Sequence, residues 1–244
     1  MGKRAYVNSI GAVSLMLSPK KKISKRELKE DALITSYVMF TSFYERNKKN
    51  ISIAVTVVVV LIIASIVFLK NRADNGERAA VQLGEVFSLY DNGQYQQAID
   101  GAPERNITGL KSIVENYGGL RAGNFARFYL ANAYYHLGKY DLALEQFEDF
   151  SPADDLLAVS RLAGIGSCYE AMGNYKEAAE NFEKAAAKYP QDANAAENMS
   201  SAARNYGKAG DKEAAINLYK KIKKNYPTST FARDADRFIA GLAV

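Results

Sequence analysis

Tryptophan is absent, and cysteine and histidine occur once each, as Cys168 and His136. A lone cysteine excludes an intramolecular disulfide, although it leaves the compartment open, because many helical domains in oxidising compartments lack disulfides. Its position deep in the chain excludes an N-terminal lipid-modified cysteine. With one histidine there is no histidine cluster, and a metal site would have to be assembled from carboxylates. Proline is scarce, five residues in 244, while 48% of residues are hydrophobic. That balance favours tightly packed helices over a β-rich fold. The sequence also lacks a phosphate-cradling glycine loop and any nucleophile–base arrangement. It therefore predicts no catalytic residues, no cofactor and no metal, and a protein that is not an enzyme. Cys168 falls among small residues of a helix and is expected to be a buried, inert thiol. Asn106-Ile107-Thr108 fits a glycosylation sequon, a pattern common by chance.

Charge is unevenly spread. Residues 1–50 hold eleven Lys and Arg against four Asp and Glu, a net of +7, and the remaining residues hold 21 basic and 23 acidic, a net of −2. The basic pI thus belongs to the N-terminal segment. Residues 51–69, ISIAVTVVVVLIIASIVFL, contain no charge, amide side chain or proline. As a helix this run is about 28 Å long, close to the ~30 Å hydrocarbon core of a bilayer. A cleaved signal peptide is a poor fit, because the run starts late and no small-x-small site follows. The earlier stretch from Ile10 to Leu17 is too short to span. Arg46, Lys48 and Lys49 precede the run, with Lys20, Lys21, Lys22, Lys25, Arg26 and Lys29 further upstream. Lys70 and Arg72 follow it but are soon balanced by Asp74 and Glu77. The positive-inside rule then predicts a cytoplasmic N-terminus and an exported C-terminal part. The basic flank is explained by topology and anionic lipid rather than nucleic acid. Residues 27–46 carry Leu28, Ala32, Leu33, Tyr37, Phe40, Phe43 and Tyr44 at three- and four-residue steps. They predict an amphipathic juxtamembrane helix that lies at the cytoplasmic interface or continues into the span.

Beyond the apolar run the sequence repeats itself. The segments LANAYYHLGKYDLALEQFEDF, IGSCYEAMGNYKEAAENFEKA and AARNYGKAGDKEAAINLYKKI align on Gly138, Gly173 and Gly210. Each glycine is followed by an alanine (Ala143, Ala178, Ala215) and then by an aromatic (Phe147, Phe182, Tyr219). Repeats two and three close on Tyr189-Pro190 and Tyr226-Pro227. Each unit reads as two helices joined by a tight turn in which glycine takes positive φ. Small residues of the first helix (Ala131, Gly166, Ala203) face the alanine of the second, and proline stops the second helix. Clear repeats are expected over about 124–157, 159–192 and 196–229. Gly93, Tyr95 and Ala98 begin a degenerate one over about 77–117, interrupted by Gly101 and Pro103. A capping helix is expected over 229–242, with Phe231, Ala235, Phe238 and Ile239 facing the stack and Arg233, Asp234 and Arg237 outward.

This pattern resembles the tetratricopeptide repeat. The predicted fold class is therefore all-α: a single N-terminal transmembrane helix followed by a tetratricopeptide-like α-solenoid over 70–244 with a C-terminal cap. The layout, and the segment GLRAGNFARFYLANAYYHLGKYDLAL in particular, is similar to bacterial membrane-anchored tetratricopeptide proteins related to the ancillary subunit of the Sec translocon. That resemblance implies a scaffold in the cytoplasmic (inner) membrane with its repeats in the periplasm. Its partners would be the translocon, periplasmic chaperones or exported polypeptides, with membrane lipid around the anchor. Neither a nucleic acid nor a small-molecule substrate is expected. Residues 1–19 resemble no part of the family. An adaptor in envelope biogenesis or cell division shares the same binding mechanism, and a non-catalytic docking subunit of an enzyme is the remaining alternative. In such stacks the first helix of each hairpin lines the concave face. This places Phe125, Phe128, Asn132, Tyr135 and His136, then Ser167 and Glu170, then Arg204 and Lys208 in a candidate partner-binding groove. Relatives that clamp a C-terminal carboxylate use Lys and Asn at set positions. Only Asn132 matches, so that clamp is not expected.

Overall fold

The computed structural model describes residues 25–192 and 194–242, almost all of them helical. The Ile10–Leu17 stretch and the basic cluster Lys20, Lys21 and Lys22 lie outside the described residues. The chain divides into two compact units, Met1–Ser65 and Ile66–Val244.

In the first unit the described residues belong to helix α1, Lys25–Asp91, which continues into the second unit. Residues 27–46 and the apolar run thus belong to one uninterrupted helix, consistent with the absence of proline and glycine between Lys25 and Asn75. Within α1 an 18-residue window of mean hydropathy 3.1 is not buried at all. The helix is long and apolar enough to cross a membrane.

The second unit is a run of helical hairpins. The C-terminal turns of α1 lead into the short α2 (Tyr95–Asp100), a ribbon of β1 (Gly101–Ala102) against β2 (Ile107–Thr108), and α3 (Leu110–Tyr117). Three full hairpins follow: α4 (Arg121–His136) with α5 (Tyr140–Asp149), α6 (Asp155–Ala171) with α7 (Tyr175–Lys188), and α8 (Ala195–Lys208) with α9 (Lys212–Asn225). α10 (Thr230–Leu242) closes the array. From α3 onward each helix packs on the next in chain order, and α10 also reaches α8. This is a tetratricopeptide-like solenoid.

The turns follow from glycine. Gly93, Gly138, Gly173 and Gly210 have φ of 73°, 72°, 82° and 88°, a region that costs other residues strain and glycine almost nothing. In the degenerate unit the second helix stops after six residues. Gly101 at φ 93° and Asn106 at φ 55° fold the chain into the two-residue ribbon around Pro103–Arg105. After this interruption Ile107 and Thr108 are strand, and helix resumes only at Leu110. Asp154 caps α6 by accepting from Leu157 N at 2.9 Å, and Asp211 caps α9 by accepting from Ala214 N at 3.0 Å. Caps of this kind each contribute about 1 kcal/mol.

Neighbouring hairpins are joined through aromatic side chains seated on glycine. A Cβ on Gly164 would lie 2.5 Å from the Phe147 ring, and one on Gly166 would lie 3.0 Å from the Phe182 ring. Helix α6 thus accepts Phe147 from the preceding hairpin and Phe182 from its own. Arg161 on α6 donates from Nε to Phe147 O and from Nη2 to Glu148 O, both at 2.8 Å, and satisfies the carboxyl end of α5. Tyr226 donates its hydroxyl to Pro190 O at 3.0 Å, tying the two Tyr-Pro corners together.

Gly164→Ala should overpack the Phe147 seat and lower stability by about 1–3 kcal/mol, net of the helix propensity gained. Gly84→Ala should do the reverse, because that helical position has nothing within 4 Å of an added Cβ; a gain of roughly 0.5–1 kcal/mol is expected. Denaturant unfolding of the detergent-solubilised chain measures both. A loss at Gly84 equal to that at Gly164 would contradict these seats.

Candidate protein-binding surface

The residues singled out from the sequence lie on α4, α6 and α8, the first helices of the three full hairpins. Their side chains divide into those occupied by internal packing and those presented outward. Phe128 is half-buried, and its ring packs on Phe150 at 5.2 Å, Tyr129 at 5.8 Å and Phe147 at 5.9 Å. Its role is to hold α4 onto α5. Phe125, also half-buried, lines an apolar cleft of about 380 Å³ with Ala80, Leu83, Gly84 and Phe87 of α1. Asn132 donates its amide to Phe128 O at 2.8 Å, and Ser167 donates to Ala163 O at 2.9 Å. Both polar groups are folded back on their own helices.

Tyr135 is half-buried beside Tyr140, ring centroids 5.4 Å apart. Its phenol pKa is raised, first by burial and then by the charges of Tyr140, Cys168 and Glu170. His136 is exposed and stacks on Tyr95, with centroids 4.5 Å apart and planes 4° apart. Cys168 is fully buried, and burial pushes its thiol up to about 12.

Glu170 and Arg204 do not stand apart across an open groove. They pair as a fork, Arg204 Nε to Oε1 at 3.2 Å and Nη2 to Oε2 at 2.9 Å, and Lys208 Nζ adds a bond to Oε1 at 2.8 Å. Partial burial alone would raise the Glu170 pKa. Hydrogen bonds from Arg204, Lys208 and Asn205 outweigh it and hold the carboxyl at about 2. The fork joins α6 to α8. Lys208 also lies over the Tyr175 ring, 5.1 Å from its centroid.

The sequence did not point to a second cleft, of about 360 Å³, between α8 and α10. Arg204, Lys208 and Arg237 rim it, and Tyr219, Phe238 and Leu242 give it an apolar floor. Phe238 stacks on Tyr219 at 5.2 Å, and Arg237 lies 5.1 Å over the Phe238 ring. As expected, Phe231, Ala235 and Ile239 take the packed face, joined by Ala232 and Leu242, and Arg237 is exposed. Phe238, also expected to face the stack, stands at its edge and is 38% exposed. One signal could have found it. Glu170 and Arg204 are 34 residues apart, and one more step of the same length from Arg204 reaches Phe238.

Among the described residues, no group of three or more His, Cys, Asp or Glu could hold a metal. The chemistry on offer is recognition by aromatic faces, a basic rim and a few polar groups.

Comparison with known proteins agrees with this architecture. Residues 125–151 and residues 156–227 each match the tetratricopeptide repeat. Among solved structures, the chain is similar to tetratricopeptide-like repeats of a putative kinesin light chain from Podosopora anserina. The TM-score is 0.54 at 17% identity, over 68% of this chain and 86% of that one. A single-substitution variant of the same protein aligns with the same score and identity, over 85% of its length. No curated protein matches the sequence. The fold is thus that of a tetratricopeptide-like scaffold, a class whose repeats engage protein partners.

The fork gives the hairpin array a dependence on pH. The carboxyl titrates near 4.5 when unperturbed and at about 2 in the folded chain. Its contribution is therefore full above about pH 4.5 and is lost as pH falls toward 2. Glu170→Gln should lower the melting temperature at neutral pH, and the gap from the parent chain should close through that acid window. A gap that stays constant across the window would show that the fork does not contribute in this way.

Proposed function

We propose that this chain is a single-pass protein of the cytoplasmic membrane. In this reading its N-terminus is cytoplasmic, its tetratricopeptide-like repeats stand in the periplasm, and it assists protein export or chaperone contact at the translocon. The observation that carries the proposal is the unburied 18-residue window of mean hydropathy 3.1 on the helix that runs directly into the repeats. In water such a surface is strongly unfavourable. In a bilayer, the helix satisfies its own backbone and the side chains meet lipid. The excess of Lys and Arg before the run supports the orientation, and the similarity to translocon-associated tetratricopeptide proteins supports the setting. The exported polypeptide or chaperone would meet the surface of α4, α6, α8 and α10, where Tyr135, the Glu170 fork and the cleft beside Phe238 are presented.

Topology and partner are tested together in spheroplasts. Protease added outside the cytoplasmic membrane should digest residues 75–242 and leave the segment before the apolar run intact. A photo-crosslinking residue in place of Phe238 or Tyr135 should yield adducts with the translocon, a periplasmic chaperone or an exported chain. Protection of the repeats with cleavage of the N-terminal segment would reverse the orientation. Adducts confined to unrelated envelope proteins would remove the export role.

A further inference from the structure

The stretch ahead of the apolar run has properties that neither the repeats nor the span explain. Residues 32–44, ALITSYVMFTSFY, are 13 consecutive uncharged residues. As helix they extend about 20 Å, too short for the ~30 Å core of a bilayer. Their large side chains are open: Leu33 is 70% exposed, Tyr37 68%, Phe40 67% and Phe43 60%. Leu33, Tyr37, Phe40 and Tyr44 form one stripe at steps of four, three and four. Met39 and Phe43 widen it on one side, Ile34 and Val38 on the other. That breadth exceeds the narrow seam through which two helices pair, and it matches a helix lying against lipid.

The polar groups here behave as they do inside the span. Thr41 donates its hydroxyl to Tyr37 O and Val38 O at 3.0 and 3.1 Å, and Ser42 donates to Met39 O at 2.9 Å. In the apolar run Thr56 donates to Ser52 O at 2.9 Å and Ser65 to Leu61 O at 2.8 Å. The hydroxyl protons of these four residues are satisfied without water, which makes them inexpensive to place in a low-dielectric phase. Between the two lies Glu45–Asn50, with Arg46, Lys48 and Lys49 exposed and Lys48 loosely paired to Glu45 at 3.4 Å.

We infer that residues 32–44 are a second membrane element, an in-plane helix sunk into the cytoplasm-facing leaflet, with Arg46, Lys48 and Lys49 against anionic headgroups. The inference rests on the membrane-anchored reading above. The apolar run already matches the thickness of the bilayer, so a collinear continuation would carry the aromatic stripe out into water. Burying the stripe requires α1, which is continuous through residues 45–50 in this structure, to bend there on the membrane, where two asparagines weaken helix and no apolar side chain resists opening. Tyr37 and Tyr44 then keep their hydroxyls at headgroup level while their rings are covered, the arrangement of an aromatic belt.

The test uses the full chain carrying Cys168→Ala and one new cysteine at a time: Thr35→Cys, Phe40→Cys or Val58→Cys. A parallel set retains the buried Cys168, so that loss of folding in the alanine background is detected. Each cysteine carries a polarity-sensitive fluorophore, in vesicles of phosphatidylethanolamine and phosphatidylglycerol. Label at Val58 should be quenched by nitroxides deep in the acyl chains. Label at Phe40 should be quenched severalfold more by shallow nitroxides than by aqueous iodide, and Thr35 should show the opposite preference. Omitting phosphatidylglycerol should weaken the shallow quenching at Phe40. Iodide quenching at Phe40 with Val58 still deep overturns this inference and leaves the anchor standing. Iodide quenching at Val58 overturns the anchor as well. A disulfide between copies through Tyr37→Cys or Phe40→Cys, with the stripe shielded from lipid, would show that a second chain covers it and would overturn the lipid assignment. Unchanged quenching without phosphatidylglycerol would overturn the headgroup contact.

Discussion

The repeat array depends on how closely α6 can be approached from both sides. Two glycines two residues apart, Gly164 and Gly166, receive the rings of Phe147 and Phe182. One ring comes from the preceding hairpin and the other from the helix's own partner. Without Cβ atoms at these positions the rings can approach the α6 backbone closely. The large area that aromatics bury then couples each hairpin to the next. Fully buried Ala143 and Ala178 serve the same end from the facing helices. Because each unit contacts chiefly its neighbours, stability is local and additive along the array, and the position of any one groove residue is set by the seat beneath it.

That dependence explains the two outcomes seen among the groove residues. Where α4 bears on α5, Phe128 is drawn into the aromatic packing around Phe147 and Phe150, and little of it remains for a partner. Where α6 bears on α8, the adjoining surface is polar. Glu170 then pairs with both Arg204 and Lys208, and the cluster keeps one net positive charge. Arg204 is half exposed, so solvent screening limits what the pair contributes to stability, while the two-pronged Arg204 geometry fixes direction. A partner's carboxylate would have to compete with Glu170 for both cations. Arg237 is not part of that fork, and it borders the aromatic floor of the cleft between α8 and α10.

Much of the fold was legible from periodic features. Gly138, Gly173 and Gly210 mark the turns because only glycine takes their φ without strain. The spacing of small and aromatic residues marks the seats. What escaped depends on rotation and on interruption. On α10 a helical pattern alone placed both Phe238 and Ile239 on the packed face and did not show that Phe238 lies at its edge, stacked on Tyr219. The unit around α2 departs from the repeat because Gly101 and Asn106 admit left-handed backbone and let a short ribbon replace a helix. The Glu170 fork escaped because one side chain's partner lies a full repeat away, and charge spacing along a single helix does not reveal it.

Within the second unit, the C-terminal part of α1 is itself a repeat helix. Leu83, Val86 and Leu89 on it are buried in the core of the first hairpins, so it cannot rotate about its own axis without disturbing that packing. The cleft beside Phe125 is built on this helix together with the start of α4. Its walls are therefore held by packing before any partner arrives, and a surface ordered in advance loses less entropy when it binds.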